Sequence, residues 1–163
     1  MIKRVLIYNS GGGLGDALQI LSLIDTLKEE FNSAKFYYLC AHKNHFSSNL
    51  VDFNSKIETL DLAIKYFGFR WWHSLVIKKK IKKYNIGTFD LIIDLQSKIR
   101  NTLILKMIPH KYFISQCLNF NFSKPKINVK KEKKISYTVL NAINFIFQKQ
   151  CSQVRRRTRS RIN

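Results

Sequence analysis

The sequence predicts an α/β protein organised as a doubly wound, Rossmann-like parallel sheet. Short apolar runs alternate along the chain with longer stretches of helical period, the pattern of a sheet covered by helices. A glycine cluster, NSGGGLG, stands directly between the first apolar run and the first amphipathic stretch, where a doubly wound sheet turns from strand into helix. A second apolar run, FDLIIDL, is again followed by a helical stretch. At 163 residues the chain suits one domain, and a hydrophobic content of 45% excludes a disordered chain.

Taken in order, KRVLIY at 3–8 is a short apolar run closed by glycines, which favours a buried strand. From Asp16, DALQILSLIDTLKEEF places Ala17, Leu18, Ile20, Leu21, Leu23, Ile24 and Leu27 on an apolar face and Asp25, Lys28, Glu29 and Glu30 on a polar one, a helix lying on a sheet. AKFYYLC from Ala34 is the next strand, so residues 3–40 form a strand, glycine loop, helix and strand, a parallel crossover of right hand. A short strand follows at 57–62, then a basic helix at about 71–84, the strand FDLIIDL at 89–95, a helix in KIRNTLILKMI and a strand beginning KYFIS at Lys111. SKPKINVKKEKK at 123–134 is polar and without apolar period, an exposed loop, and ISYTVLNAINFIFQKQ regains helical period. The tail, 151–163, has no apolar period and is expected to lack fixed structure.

No run approaches the roughly 18 apolar residues of a membrane span, and MIKRVLIYNS has no cleavable leader pattern, so a cytoplasmic chain is expected. Three cysteines, Cys40, Cys117 and Cys151, fit reduced thiols better than a disulfide framework. CAHKNH offers Cys40, His42 and His45 to a metal, but no second ligand cluster follows, and a strand end with a loop explains it as well. The formal charge is +19, and of ten acids only Glu132 lies beyond residue 94. Residues 62–89 hold no acid and include RWWHSLVIKKKIKKY, while 155–161 hold five arginines. Such fields attract phosphate-rich partners, nucleic acid or anionic lipid.

The glycine loop resembles a phosphate cradle, since small residues admit backbone N–H groups to an anion and the following helix adds its positive end. Its spacing is neither of the two common fingerprints. Counting from Gly11 and Gly13, the third glycine of G-x-G-x-x-G would fall at Asp16, and no Lys-Ser/Thr pair follows Gly15 as in a P-loop. Asp16 itself has two readings. It caps the first turn of a helix, or it is a general base at the cleft, and the helix end that suits a carboxylate also lowers its pKa and weakens it as a base.

VLIYNSGGGLGDALQILSLIDTLKEEFNSAKFYYLC resembles the opening of the family 9 glycosyltransferases, the lipopolysaccharide heptosyltransferases: a strand, a small-residue loop ending in Gly-Asp, a leucine-rich helix and a strand. FDLIIDLQSKIRNTLILKMI resembles that family's second landmark, a strand ending in Asp-x-Gln before a basic position and a helix, here with Ser97 where glycine is usual. The resemblance spans about residues 2–150 and implies the amino-terminal half of a two-domain GT-B fold, with the donor-binding carboxyl-terminal domain absent. It implies metal-independent, inverting transfer of a sugar, heptose from ADP-heptose, to a lipopolysaccharide core acceptor, with Asp16 as the base and no cofactor beyond the nucleotide-sugar substrate. Gly12, Gly13, Leu14 and Gly15 then line the cleft and offer N–H groups to the diphosphate. Gln96, Lys98 and Arg100 border the acceptor, although a solvated helix start explains them equally.

The same resemblance implies an anionic glycolipid acceptor at the inner-membrane surface. FGFRWWHSLVIKKKIKKY sets Phe67, Phe69, Trp71 and Trp72 beside lysines, which suits a membrane interface or, equally, a core with a solvated face. As a fragment or a product cut short, the chain alone is expected to show little transferase activity. The rivals are a basic module that binds nucleic acid, for which charge alone speaks and no recognition motif does, and another nucleotide-binding α/β domain.

Overall fold

The computed structural model describes residues 2–10, 13–41, 45–48, 50, 57–62 and 64–159; the side chains of Asp16, Gln19 and residues 149–159 lie outside the description. The apolar runs form β1 (Arg4–Asn9), β2 (Lys35–Cys40), β3 (Ile57–Thr59), β4 (Phe89–Asp94) and β5 (His110–Ser115). They make one sheet in the order β3-β2-β1-β4-β5, and every pairing is parallel. Four helices accompany them: α1 (Leu14–Glu30), α2 (His73–Lys83), α3 (Ile99–Leu105) and α4 (Ile135–Arg159).

Side chains that alternate along each strand divide the core into two layers. Val5 and Ile7, with Leu91, Ile93 and Ile114, face Ile20, Leu23, Ile24 and Leu27 of α1 and Val139, Ala142, Ile143 and Ile146 of α4. Leu6, Tyr8, Ile92 and Phe113 face the other way, onto Ile77 of α2 and Ile104 and Leu105 of α3. Helices therefore cover both faces, the doubly wound arrangement predicted from the alternation of patterns. Strands buried on both faces need no polar alternation, which is why the middles of β1 and β4, VLIY and LII, read as unbroken apolar runs.

Several boundaries differ from the sequence expectation. Gly13, extended at φ −89 and ψ 148, caps α1, and its carbonyl accepts the Ala17 N–H at 3.3 Å. Leu14 and Gly15 thus belong to the helix rather than the loop, and Leu18, expected on the apolar face, is exposed. α2 begins at His73, leaving Trp71 and Trp72 in the preceding turn. The expected loop at 123–134 is anchored where Phe113 and Lys124 exchange backbone hydrogen bonds of 2.9 and 2.8 Å and where Ile127 is buried. α4 continues to Arg159, through the basic stretch expected to lack fixed structure; Arg, Gln and Lys are good helix formers and continue a helix begun by packing.

β4 carries an acid near each end, and the two have opposite environments. Asp90 Oδ2 accepts the backbone N–H groups of Lys3 at 2.8 Å and Arg4 at 3.1 Å, and Oδ1 accepts Lys111 Nζ at 2.5 Å, so one carboxylate ties the amino ends of β1 and β5 to β4. Burial alone raises its pKa; the Lys111 ammonium and the two amides outweigh that and hold it below the ordinary value. A lowered carboxylate pKa stabilises the fold above the unfolded value and loses that contribution as pH falls through the folded value. In urea melts between pH 7 and pH 2, stability is expected to drop below about pH 4. Asp90→Asn should flatten that limb and cost about 1 to 2 kcal/mol at neutral pH; an unchanged acid limb in the variant would contradict the assignment.

Candidate functional site

In a parallel sheet whose strand order runs outward in both directions from a central pair, the connections diverge at the carboxyl ends of that pair and open a crevice. Here the pair is β1 and β4, with Tyr8 in register with Asp94. Beyond the paired strands, the Leu95 N–H donates to the Tyr8 carbonyl at 3.0 Å, and Gln96 Nε2 donates to Asn9 Oδ1 at 2.6 Å. The two sequence landmarks, the glycine stretch after β1 and LQSKIR after β4, therefore leave the sheet side by side. Asn9 was not among the residues singled out from the sequence; a polar residue ending an otherwise apolar strand was the available signal.

The amino end of α1 opens onto this junction. Gly11 and Gly12 lie outside the described residues; Gly13 is the cap, and Leu14 is 41% exposed. Asp16 stands at the third helical position, where the helix dipole favours a carboxylate, and its side chain lies outside the described residues. Gly15 is informative because of what surrounds it. Among the described residues a Cβ built there meets nothing within 4 Å, and its φ is not in the left-handed region, so neither crowding by those residues nor backbone conformation calls for glycine. A glycine in a helix is nonetheless less favourable than alanine.

Asp94 organises the opposite wall. Fully buried, it accepts Thr102 Oγ1 at 2.6 Å and Ser115 Oγ at 2.8 Å on Oδ2, and the Gln96 N–H at 3.0 Å on Oδ1. It thereby fixes the turn that points Gln96 at Asn9 and joins β4 to β5 and α3. Burial pushes its pKa up to about 6 against the opposing pull of these three donors. The landmark aspartate of the second motif is thus a scaffold group, shut off from solvent.

A third segment, the loop around Gly68, is pinned to the same edge. Tyr8 Oη donates to the Phe67 carbonyl at 3.1 Å and accepts Asn101 Nδ2 at 3.2 Å, while burial and the nearby Asp94 carboxylate drive the phenol pKa upward. The Gly68 N–H donates to His73 Nδ1 at 3.1 Å, which requires an unprotonated nitrogen there; burial and then the charges of Arg70 and Arg100 lower the His73 pKa and keep it so. Gly68 has φ +85, and a Cβ on it would lie 2.7 Å from the Asn101 side chain, so only glycine fits. Arg100 Nε donates to the Gly68 carbonyl at 2.7 Å, and Lys98 Nζ lies 5.5 Å from the Phe69 ring centre. Lys98 and Arg100 are exposed, as a helix start would have them, but Arg100 also holds this loop in place. Among the described residues no group of three His, Cys, Asp or Glu side chains could hold a metal; Cys40 ends β2, His45 opens a short 3-10 turn, and His42 lies outside the described residues.

No family model and no curated protein matches the chain. Solved structures do. A glycosyl transferase family 9 protein from Veillonella parvula superposes with a TM-score of 0.59 at 14% identity, covering 87% of this chain and 41% of its own. The chain has the fold of one half of a GT-B glycosyltransferase. The E. coli heptosyltransferase WaaC superposes on this GT-B half at 16% identity in two structures: with ADP (TM-score 0.55, 86% of this chain, 46% of that one) and with ADP-2-deoxy-2-fluoro heptose (0.60, 86% and 47%). The chain spans less than half the length of each. The similarity is one of fold, a parallel sheet flanked by helices.

Two outcomes follow from the site. Gly15→Ala should raise stability by about 0.5 kcal/mol in denaturant melts, because the helix gains and nothing is crowded; a destabilised variant would mean that glycine serves the fold. For Asp94, a raised pKa means that its stabilising contribution is complete below about pH 4 and is lost as pH rises through about 6. Asp94→Asn, whose amide can donate to the Thr102 and Ser115 oxygens while its carbonyl accepts the Gln96 N–H, should fold with a cost of about 1 kcal/mol and lack that slope between pH 4 and 6. Retention of the slope would place its origin elsewhere.

Proposed function

We propose that this chain forms the acceptor-side wall of a glycosyltransferase cleft that moves a sugar, heptose from ADP-heptose, onto a lipopolysaccharide core acceptor with inversion and without a metal. The observation that carries the reading is Gly15: an exposed helical glycine with open space above it among the described residues, after β1 and its junction with β4, keeps backbone accessible where a ligand would approach. Since Ala17 makes the first helical bond, to Gly13, the N–H groups ahead of it at the positive end of α1 are free of helical partners and suit a departing diphosphate. In the step proposed, the acceptor oxygen bonds the anomeric carbon, the diphosphate leaves with the electron pair of the bond it breaks, and the hydroxyl proton passes to the Asp16 carboxylate. Gln96, oriented by Asn9 and by the Asp94-anchored turn, is assigned to the acceptor, with Lys98 and Arg100 supplying positive charge for its phosphates and acidic sugars.

The donor contacts are assigned to the portion of the GT-B fold that the chain does not span, so the 163 residues alone should turn over little or no ADP-heptose. Calorimetry with a deacylated, phosphorylated core acceptor and, separately, with ADP tests the assignment. Acceptor binding that weakens about tenfold in Gln96→Ala, together with weak ADP binding, is expected. Wherever turnover can be measured, Asp16→Asn should lower it by about 100-fold or more with acceptor affinity retained. Tight ADP binding by the isolated chain without acceptor binding would instead identify a mononucleotide-binding domain.

A further inference from the structure

We propose that Asp94 is a proton-controlled positioning residue: its neighbours accommodate the carboxyl group in either protonation state, and the ionised form holds Gln96 more firmly for the acceptor. This deepens, and rests on, the assignment of Gln96 to the acceptor. Ionised, Oδ2 accepts the hydroxyls of Thr102 at 2.6 Å and Ser115 at 2.8 Å, and Oδ1 accepts the Gln96 N–H at 3.0 Å. Thr102 Oγ1 also lies 3.2 Å from the carbonyl oxygen of Lys98, the N-cap of α3, which takes the Thr102 N–H and has a second lone pair. A proton gained at Oδ2 can therefore be passed on: the new O–H donates to Thr102 Oγ1, and the threonine proton swings to the Lys98 carbonyl. One hydroxyl rotates and no donor is left over. Asp90 has no such freedom, because two backbone amides and an ammonium can only donate to it.

The Gln96 N–H cannot reverse. It donates to Oδ1 in both forms, to a carboxylate oxygen in one and to a neutral carbonyl oxygen in the other, and a hydrogen bond to an ionised group is about twice as strong. That bond fixes the turn from which Gln96 Nε2 reaches Asn9 Oδ1 at 2.6 Å, so a proton on Asp94 slackens the side chain offered to the crevice. Around Asp94, Tyr8 on β1 is a phenol kept neutral by burial, Cys117 beyond β5 is a buried thiol, and Lys98 and Arg100 at the start of α3 are exposed. Among the described residues no cation pairs with the carboxylate. Burial raises its pKa to about 6, and the two consequences of that titration have opposite signs. The fold loses stability as pH rises through this value, whereas acceptor binding gains over the same interval. A purely structural carboxylate would give the first slope without the second.

Full-length protein labelled with carbon-13 and nitrogen-15 is titrated between about pH 5 and pH 8, following the Asp94 carboxyl carbon and the Gln96 amide with and without a deacylated, phosphorylated core acceptor. The two signals are expected to share one midpoint. Calorimetry over the same range should show acceptor affinity rising about fivefold as the proton leaves. By reciprocity the bound acceptor should then lower the carboxyl midpoint by about 0.7 in pH, the logarithm of that factor. The acceptor's phosphates titrate in the same range, so the comparison is with Asp94→Asn, which is neutral at every pH. That variant should bind at the acid-limit affinity and lose the fivefold component alone. The midpoint shift is read on the native chain, so it decides the matter even where the variant does not fold. A Gln96 amide that ignores the Asp94 midpoint, or acceptor binding that leaves the midpoint in place, would overturn the inference. Acceptor binding at no pH would overturn the reading of Gln96 and the inference with it, a result distinguishable from binding that ignores the proton.

Discussion

The buried carboxylate of Asp94 is the constraint on which the carboxyl edge of the sheet depends. Three hydrogen bonds to one side chain join the last residue of β4 to β5 through Ser115, to α3 through Thr102 and to its own turn through the Gln96 backbone N–H. Ser115 extends the network: its Oγ accepts the Cys117 N–H at 3.2 Å, and its own N–H donates to the Ser123 hydroxyl oxygen at 3.1 Å. A polar group with no solvent must have its partners supplied by the fold, and here the partners come from elements distant in sequence. Satisfying one carboxylate thus specifies where α3 starts and which way Gln96 points.

From that turn the crevice is assembled by short links rather than by a single motif. Gln96 reaches Asn9 across the β1–β4 junction; Tyr8, one residue earlier and on the other face, holds the Gly68 loop through its hydroxyl. The two neighbours on β1 therefore serve different walls because successive side chains of a strand point to opposite faces. The glycines divide their labour in a similar way. Gly68 is needed by the fold, since its conformation and its contact with Asn101 admit no side chain, whereas nothing among the described residues crowds Gly15. A residue that weakens its helix without relieving any clash is the kind of feature that function, rather than folding, retains.

Charge and surface follow the same division between ends of the molecule. At the amino edge, Asp90 is ionised and paired with Lys111, and Arg4 lies over the Phe89 ring at 4.7 Å, so charge there is spent on holding strands together. At the carboxyl edge the acid is buried and the cations, Lys98 and Arg100, face outward beside aromatic rings. Among the described residues no helix is long and apolar enough to cross a membrane.

Much of the architecture was legible in the residues because its signals are local. Runs such as KRVLIY and FDLIID can bury both faces only as interior strands, and the leucine and isoleucine spacing after Asp16 can be covered only as a helix, so strand and helix order, parallel pairing and the doubly wound class could be read in one dimension. The nearness of the glycine stretch to LQSKIR was implied by resemblance and is physically a consequence of β1 pairing with β4. What the tertiary structure alone decided were the roles that depend on neighbours far along the chain. Asp94 became scaffold because Thr102 and Ser115 enclose it, Arg100 became a loop clamp because Gly68 folds back on it, and Trp71 remained outside while Phe67 went in. Composition fixes how much apolar and charged surface a chain has to place; only the packed sheet determines which of those groups find partners and which are left facing solvent.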